Sequence, residues 1–203
     1  MGMSDVIAVF KTAGIAADDD GISENAAVGN NAALTIGGAL ASGGSVTLNS
    51  GQLVTITSAG DDDEISFTVV GTDIFDDALT ESVTGANAGV ATSSNFFKTI
   101  ASITAVGDPA GNVKAGVSAS CADNIFAGPA RLKGAYIVNS ATAGTIKFRT
   151  TSVSGTTLME VGTVASATVT RDVNIPEEGI RFSSGIIITY TGGTFTSMTA
   201  FHA

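Results

Sequence analysis

The sequence predicts an all-β protein: two small antiparallel β-sandwich modules, Ig-like or jelly-roll-like, preceded by an extended N-terminal arm. Three observations carry this. Only 14% of the 203 residues are charged, and Gly, Ala, Ser, Thr and Val dominate, a mixture suited to short strands and tight turns. Turn signals recur roughly every 8 to 12 residues. Apolar and polar residues alternate with the period of two of a half-buried strand.

Residues 1–30 read as the arm. The apolar piece Val6, Ile7, Ala8, Val9, Phe10 precedes the polar stretch Ala16-Ala17-Asp18-Asp19-Asp20-Gly21. Such a segment has no core of its own and is expected to gain order by lying on a neighbouring subunit. Val6, Ile7, Val9 and Phe10 are therefore the candidate assembly residues, and arms exchanged between subunits would give a trimer or larger ring. On this reading, deleting residues 1–12 leaves folded modules that no longer assemble.

The first module is expected over residues 31–118. Leu53-Val54-Thr55-Ile56-Thr57 places Val54 and Ile56 on one face, and Ile65-Ser66-Phe67-Thr68-Val69 repeats the pattern after the turn Ser58-Ala59-Gly60-Asp61-Asp62-Asp63. The two are expected to form a hairpin. Residues 79–83 and 99–104 supply further strands, and Val113, Ala115 and Val117 mark the last. Residues 119–129 lack alternation and end in Gly128-Pro129, the signature of a linker.

The second module is expected over residues 130–203, with about seven strands of the kind found in such sandwiches. In its first strand Leu132, Tyr136 and Val138 are placed on one face. Thr145-Ile146-Lys147-Phe148-Arg149 is the cleanest half-buried strand, with Ile146 and Phe148 inward and two cations outward. Residues 167–173, 180–182 and 186–190 continue the series. Gly192-Gly193 reads as a two-residue hairpin turn into Phe195 through Phe201.

Charge divides the chain. Residues 1–128 hold fifteen acids against three bases, −12, and residues 129–203 hold six bases against four acids, +2. An acidic first part is repelled by polyanions, so nucleic acid is not an expected partner. The N-terminus lacks the pattern of a signal peptide, and no run approaches about 18 apolar residues, so neither export nor a membrane span is expected. Cys121 stands alone, so no intramolecular disulfide braces the fold, and it is expected as a small buried hydrophobe.

The inventory for chemistry is short. His202 is the only histidine, which leaves a nucleophile without a natural base, and no Gly-x-Ser-x-Gly or phosphate-cradling glycine motif occurs. One Cys and one His exclude a zinc site within the chain. Asp18-Asp19-Asp20-Gly21 and Asp61-Asp62-Asp63-Glu64 offer oxygens to calcium but lack EF-hand spacing, so both are expected as solvated acidic turns. The acids gather at turns, with no inward-facing pair for glycoside hydrolysis, and two Tyr with no Trp leave little to stack on sugars. No enzyme activity, cofactor or metal is expected. A positive mean hydropathy with so few charges favours a chain whose sheet edges are covered by other subunits.

Ala33-Leu34-Thr35-Ile36-Gly37-Gly38-Ala39-Leu40, Val54-Thr55-Ile56-Thr57-Ser58-Ala59-Gly60, Phe67-Thr68-Val69-Val70-Gly71-Thr72-Asp73, Thr80-Glu81-Ser82-Val83-Thr84-Gly85 and Phe97-Lys98-Thr99-Ile100 together resemble a module of tailed-bacteriophage structural proteins. Arg131-Leu132-Lys133-Gly134, Gly144-Thr145-Ile146-Lys147-Phe148-Arg149, Ile175-Pro176-Glu177-Glu178-Gly179-Ile180-Arg181-Phe182 and Gly185-Ile186-Ile187-Ile188-Thr189 resemble small β domains of phage virion proteins. Asp61-Asp62-Asp63-Glu64 departs from the shorter, less acidic turn of that pattern. These are framework positions, so no active site comes with the likeness. It implies a virion protein assembled in the host cytoplasm. The expected role is a capsid decoration or cement protein that binds itself and the major capsid protein lattice and stabilises the head. The alternative is a tail or head fibre that contacts the host surface.

Overall fold

The computed structural model describes residues 5–203. Among them it contains strands and turns and no helix. In chain order the strands are β1 (Ile7–Thr12), β2 (Asp18–Ala27), β3 (Ala41–Ser42), β4 (Ser45–Ser58), β5 (Ser66–Thr72), β6 (Ala78–Thr84), β7 (Val90–Val106) and β8 (Asn112–Phe126). There follow β9 (Ala130–Asn139), β10 (Gly144–Thr150), β11 (Thr157–Thr163), β12 (Thr170–Asn174), β13 (Ile180–Phe182), β14 (Ile186–Thr191) and β15 (Phe195–His202). The protein is all-β with antiparallel sheets, as the composition predicts.

Two compact units are present, one formed by Ala16–Cys121 and the other by residues 5–15 with Ala122–Ala203. The first unit carries thirteen acids against Lys98 and Lys114, and the second six acids against seven bases. β8 belongs in part to each. Residues 119–126, expected in a linker, run inside this strand, where Cys121, Ala122 and Asp123 are all buried. A strand covered on both faces shows no alternation, which is why its sequence reads as irregular.

In the unit of Ala16–Cys121 the strand order is β8-β4-β7-β5-β6, with β2 on β8 and β3 on β4. The expected hairpin of residues 53–57 with 65–69 does not form. The 17-residue β7 lies between β4 and β5 and pairs with both. The reason is visible at the end of β4, where the Ser58 amide donates to Gly89 O and the Ala59 amide to Asn112 O, so the chain is held away from β5. The core includes Ile22, Val54, Ile56, Phe67, Phe97 and Ile103, each fully buried. Ile22 comes from β2, so residues 18–27, expected in the arm, supply a core side chain to this unit.

At Gly116 the backbones of β2 and β8 approach so closely that a Cβ would collide with the Asp18 carbonyl oxygen and the Asp19 backbone. Only glycine fits there.

The other unit has one sheet ordered β1-β15-β9-β12, with β13 also on β9, and a second sheet ordered β11-β10-β14 that continues to β8. Ile146 and Phe148 are fully buried and Lys147 and Arg149 partly exposed, as the alternation in β10 predicts. Gly192-Gly193 makes no hairpin: β14 pairs with β10, whereas β15 pairs with β9 and β1. The turn, with Gly193 at φ 75°, passes the chain from one sheet to the other.

Leu132 and Tyr136 fall on opposite faces, contrary to the expected shared face. The register against β15 shifts by one residue between Phe201 and His202, opposite Gly134 and Leu132. A one-residue shift reverses the alternation. The buried apolar side chains of β9 beyond Ala130 are consequently Leu132, Ala135 and Ile137, and Tyr136 is exposed.

Candidate functional site

β1 is built from β-branched and aromatic residues, and it pairs in antiparallel register with β15 from Ile7 opposite His202 to Thr12 opposite Ser197. The apolar segment expected in an arm laid on a neighbouring subunit thus pairs within its own chain, as a strand of the sheet made by the C-terminal part. Alternation splits it. Val9 and Lys11 lie in rows with the buried Ala200 and Met198, while Ala8, Phe10 and Thr12 share the opposite face. Phe10 sits opposite Thr199, Thr199 opposite Tyr136, and Tyr136 opposite Asp172, a row across four strands.

The four candidate assembly residues therefore divide. Val6 is 55%, Ile7 51% and Phe10 64% exposed, while Val9 is half-buried. Tyr136, in the row of Phe10, is 41% exposed. Among the described residues β1 has β15 as its only strand partner, so it is an edge strand of its sheet. Exposed edges are usually blunted by an outward charge, a proline or a bulge. β1 has none of these, because its one charged side chain, Lys11, turns to Asp123 at 3.7 Å.

That ion pair belongs to an anchor. Asp123 is 3% exposed, and its Oδ2 accepts a 3.0 Å hydrogen bond from the Tyr190 hydroxyl. The same phenol oxygen accepts the Gly14 amide at 2.9 Å. A buried carboxylate is tolerable only when it is paired and hydrogen-bonded, and here Lys11 of β1 pairs with it and Tyr190 of β14 donates to it. The Tyr190 ring packs on Phe195 with centroids 4.7 Å apart. The Ala13 amide bonds Thr196 O and the Gly193 amide bonds Gly14 O, which extends the attachment beyond β1.

Asp123, Tyr190 and Lys11 are not among the sequence-derived candidates. The available signal is Asp123 itself, the one charged residue in the stretch Cys121-Ala122-Asp123-Asn124-Ile125-Phe126.

The acidic groups behave differently from one another. Asp18, Asp19 and Asp20 bring carboxylate oxygens within 4.8 Å of one another, and Lys114 forms an ion pair with Asp19. That hydrogen bond, with the charges of Asp19 and Asp20, holds the Lys114 ammonium above the ordinary lysine range against a smaller opposing effect of desolvation. Asp61, Asp63 and Glu64 are exposed, whereas Asp62 is buried and its Oδ1 accepts the Ala110 amide at 2.7 Å. The expected solvated turn thus contains one carboxylate that fastens the neighbouring loop.

The remaining reactive side chains have separate surroundings. His202 is buried, its ring 4.6 Å from that of Phe126, and desolvation lowers its pKa. Cys121 is buried. Glu81 accepts hydrogen bonds from the Ser94 and Asn95 amides and the Asn95 side chain, and Glu160 lies 4.0 Å from Lys147.

Comparisons with family models, curated proteins and solved structures give no match to this chain.

Proposed function

We propose that this chain is a non-enzymatic structural protein that acts by assembling, and that the assembly is a virion. In this reading its two compact units are β-sandwich modules, and the protein decorates the head, binding copies of itself and the major capsid protein lattice. The observation that carries the assembly reading is the open edge of β1, where Val6, Ile7 and Phe10 stand more than half exposed and no outward charge guards the backbone. A second strand laid along this edge would extend the sheet and cover those side chains, the geometry of strand addition. The resemblance of residues 33–100 and 131–189 to phage structural modules supports the virion as the setting.

Imaging of particles that contain the protein tests the reading. Decoration requires density in many copies over the head, with heads lacking the protein less resistant to heat. A single ring at one vertex, or density confined to the tail, overturns it.

A further inference from the structure

Strand β13 places Arg181 directly opposite Arg131 of β9. Side chains at directly opposed positions leave the same face as close neighbours, and like charges so placed repel. Little in the protein relieves this pair. Glu178 approaches Arg131 only to 3.9 Å, and its side chain is 82% exposed. The Arg131 Nη1 also donates to the Glu178 carbonyl oxygen at 3.3 Å, so Glu178 serves Arg131 and not Arg181. Arg181 is exposed and, among the described residues, makes neither an ion pair nor a side-chain hydrogen bond.

Lys133, two residues along β9, adds a third cation. Its ammonium donates to the Glu177 and Glu178 carbonyl oxygens, at 3.2 and 3.1 Å. Neither contact offsets its charge.

The two arginines line a shallow pocket of about 240 Å³ with Pro129, Ala130, Phe182 and Ala203. Its floor is fixed. Phe182 is fully buried opposite Ala130, and the Arg131 amide and carbonyl are both bonded to Ala203, at 2.7 and 3.0 Å. Two forked donors on a fixed backbone beside a small recess match the planar or tetrahedral oxygens of an acid group.

We propose that this pocket is an oxyanion site that takes one carboxylate or phosphate group between Arg131 and Arg181. The unit of Ala16–Cys121, with thirteen acids against two bases, makes a second copy of the chain one source of such a carboxylate; a free phosphate is the other.

Titration of the full-length chain with inorganic phosphate, and separately with glutarate, at constant ionic strength tests the site by side-chain NMR. Saturable shifts at the Arg131 and Arg181 guanidinium signals are expected. Affinity should fall about tenfold or more in Arg181→Gln and in Arg131→Gln, the loss of one charge-assisted contact. Arg171→Gln, on β12, should bind like the parent. Amide spectra confirm that the variants keep the fold. No saturable response, or an equal response in Arg181→Gln and the parent, overturns the proposal. Saturating phosphate that dissociates an assembled form identifies the second copy as the source. An assembly that persists identifies a free anion, and either result upholds the site.

Discussion

The Tyr190 hydroxyl oxygen lies 3.0 Å from Asp123 Oδ2 and 2.9 Å from the Gly14 amide nitrogen, so one phenol joins a buried carboxylate to the segment that follows β1. Tyr190→Phe keeps the ring against Phe195 and removes both bonds. The expected cost is about 1–3 kcal/mol, the range for leaving a buried polar group unsatisfied. Urea unfolding measures it, and a midpoint unchanged from the parent contradicts the anchor.

Phe10→Asp separates assembly from folding. Phe10 is 64% exposed, so the monomer should lose no more than about 0.5 kcal/mol, while self-association through the β1 edge should disappear. Light scattering on the eluting peak reads the mass. If parent and variant share one oligomeric state, β1 is not the assembly edge. Deleting residues 1–12 is a poorer test than the sequence alone suggests, because β15 then loses a strand and Asp123 loses Lys11.

His202 gives a pH signature. Burial pushes its pKa below the ordinary value of 6.5, so the unfolded chain binds a proton more readily than the folded one. The neutral ring is compatible with the fold above pH 6.5, and its contribution is lost as pH falls below that value towards the lowered one. The parent should therefore lose more stability than His202→Gln between about pH 7 and 5. Parallel stability profiles for the two proteins would rule this out.

Gly116→Ala should weaken the unit of Ala16–Cys121. The new methyl group meets the Asp18 carbonyl, a backbone atom that moves only if β2 moves. A loss of about 1–3 kcal/mol is expected, as for other overpacked sites. Hydrogen exchange at Ile22, on β2, should quicken along with a lower melting temperature. Unaltered protection there would mean that β2 adapts without cost.

The strands of this fold were legible where one face is dry and the other wet. Ile146 and Phe148 in β10 and Val54 and Ile56 in β4 announce themselves by alternation. Pairing was not legible, because alternation assigns faces but not neighbours: nothing local in residues 53–69 reveals that β7 comes between β4 and β5. Nor does Gly192-Gly193 tell whether a tight turn returns the chain to the same sheet or to a facing one. At β9 a one-residue register shift moved Tyr136 to the exposed face, a tertiary event with no local mark. The apolar character of Val6 to Phe10 was visible in the sequence. Its anchor was not, since Lys11, Asp123 and Tyr190 meet only through the fold.

The pairing of Ile7 with His202 sets the order in which the chain can be completed. A ribosome makes β1 about 190 residues before the end of β15, at about 5–20 residues per second, so β1 waits roughly 10 to 40 s for its partner. Throughout that interval both of its edges are open and its apolar side chains lack their sheet. Slow decoding late in the message would lengthen the exposure, and nascent chains stalled before β15 should be the ones that chaperones retain.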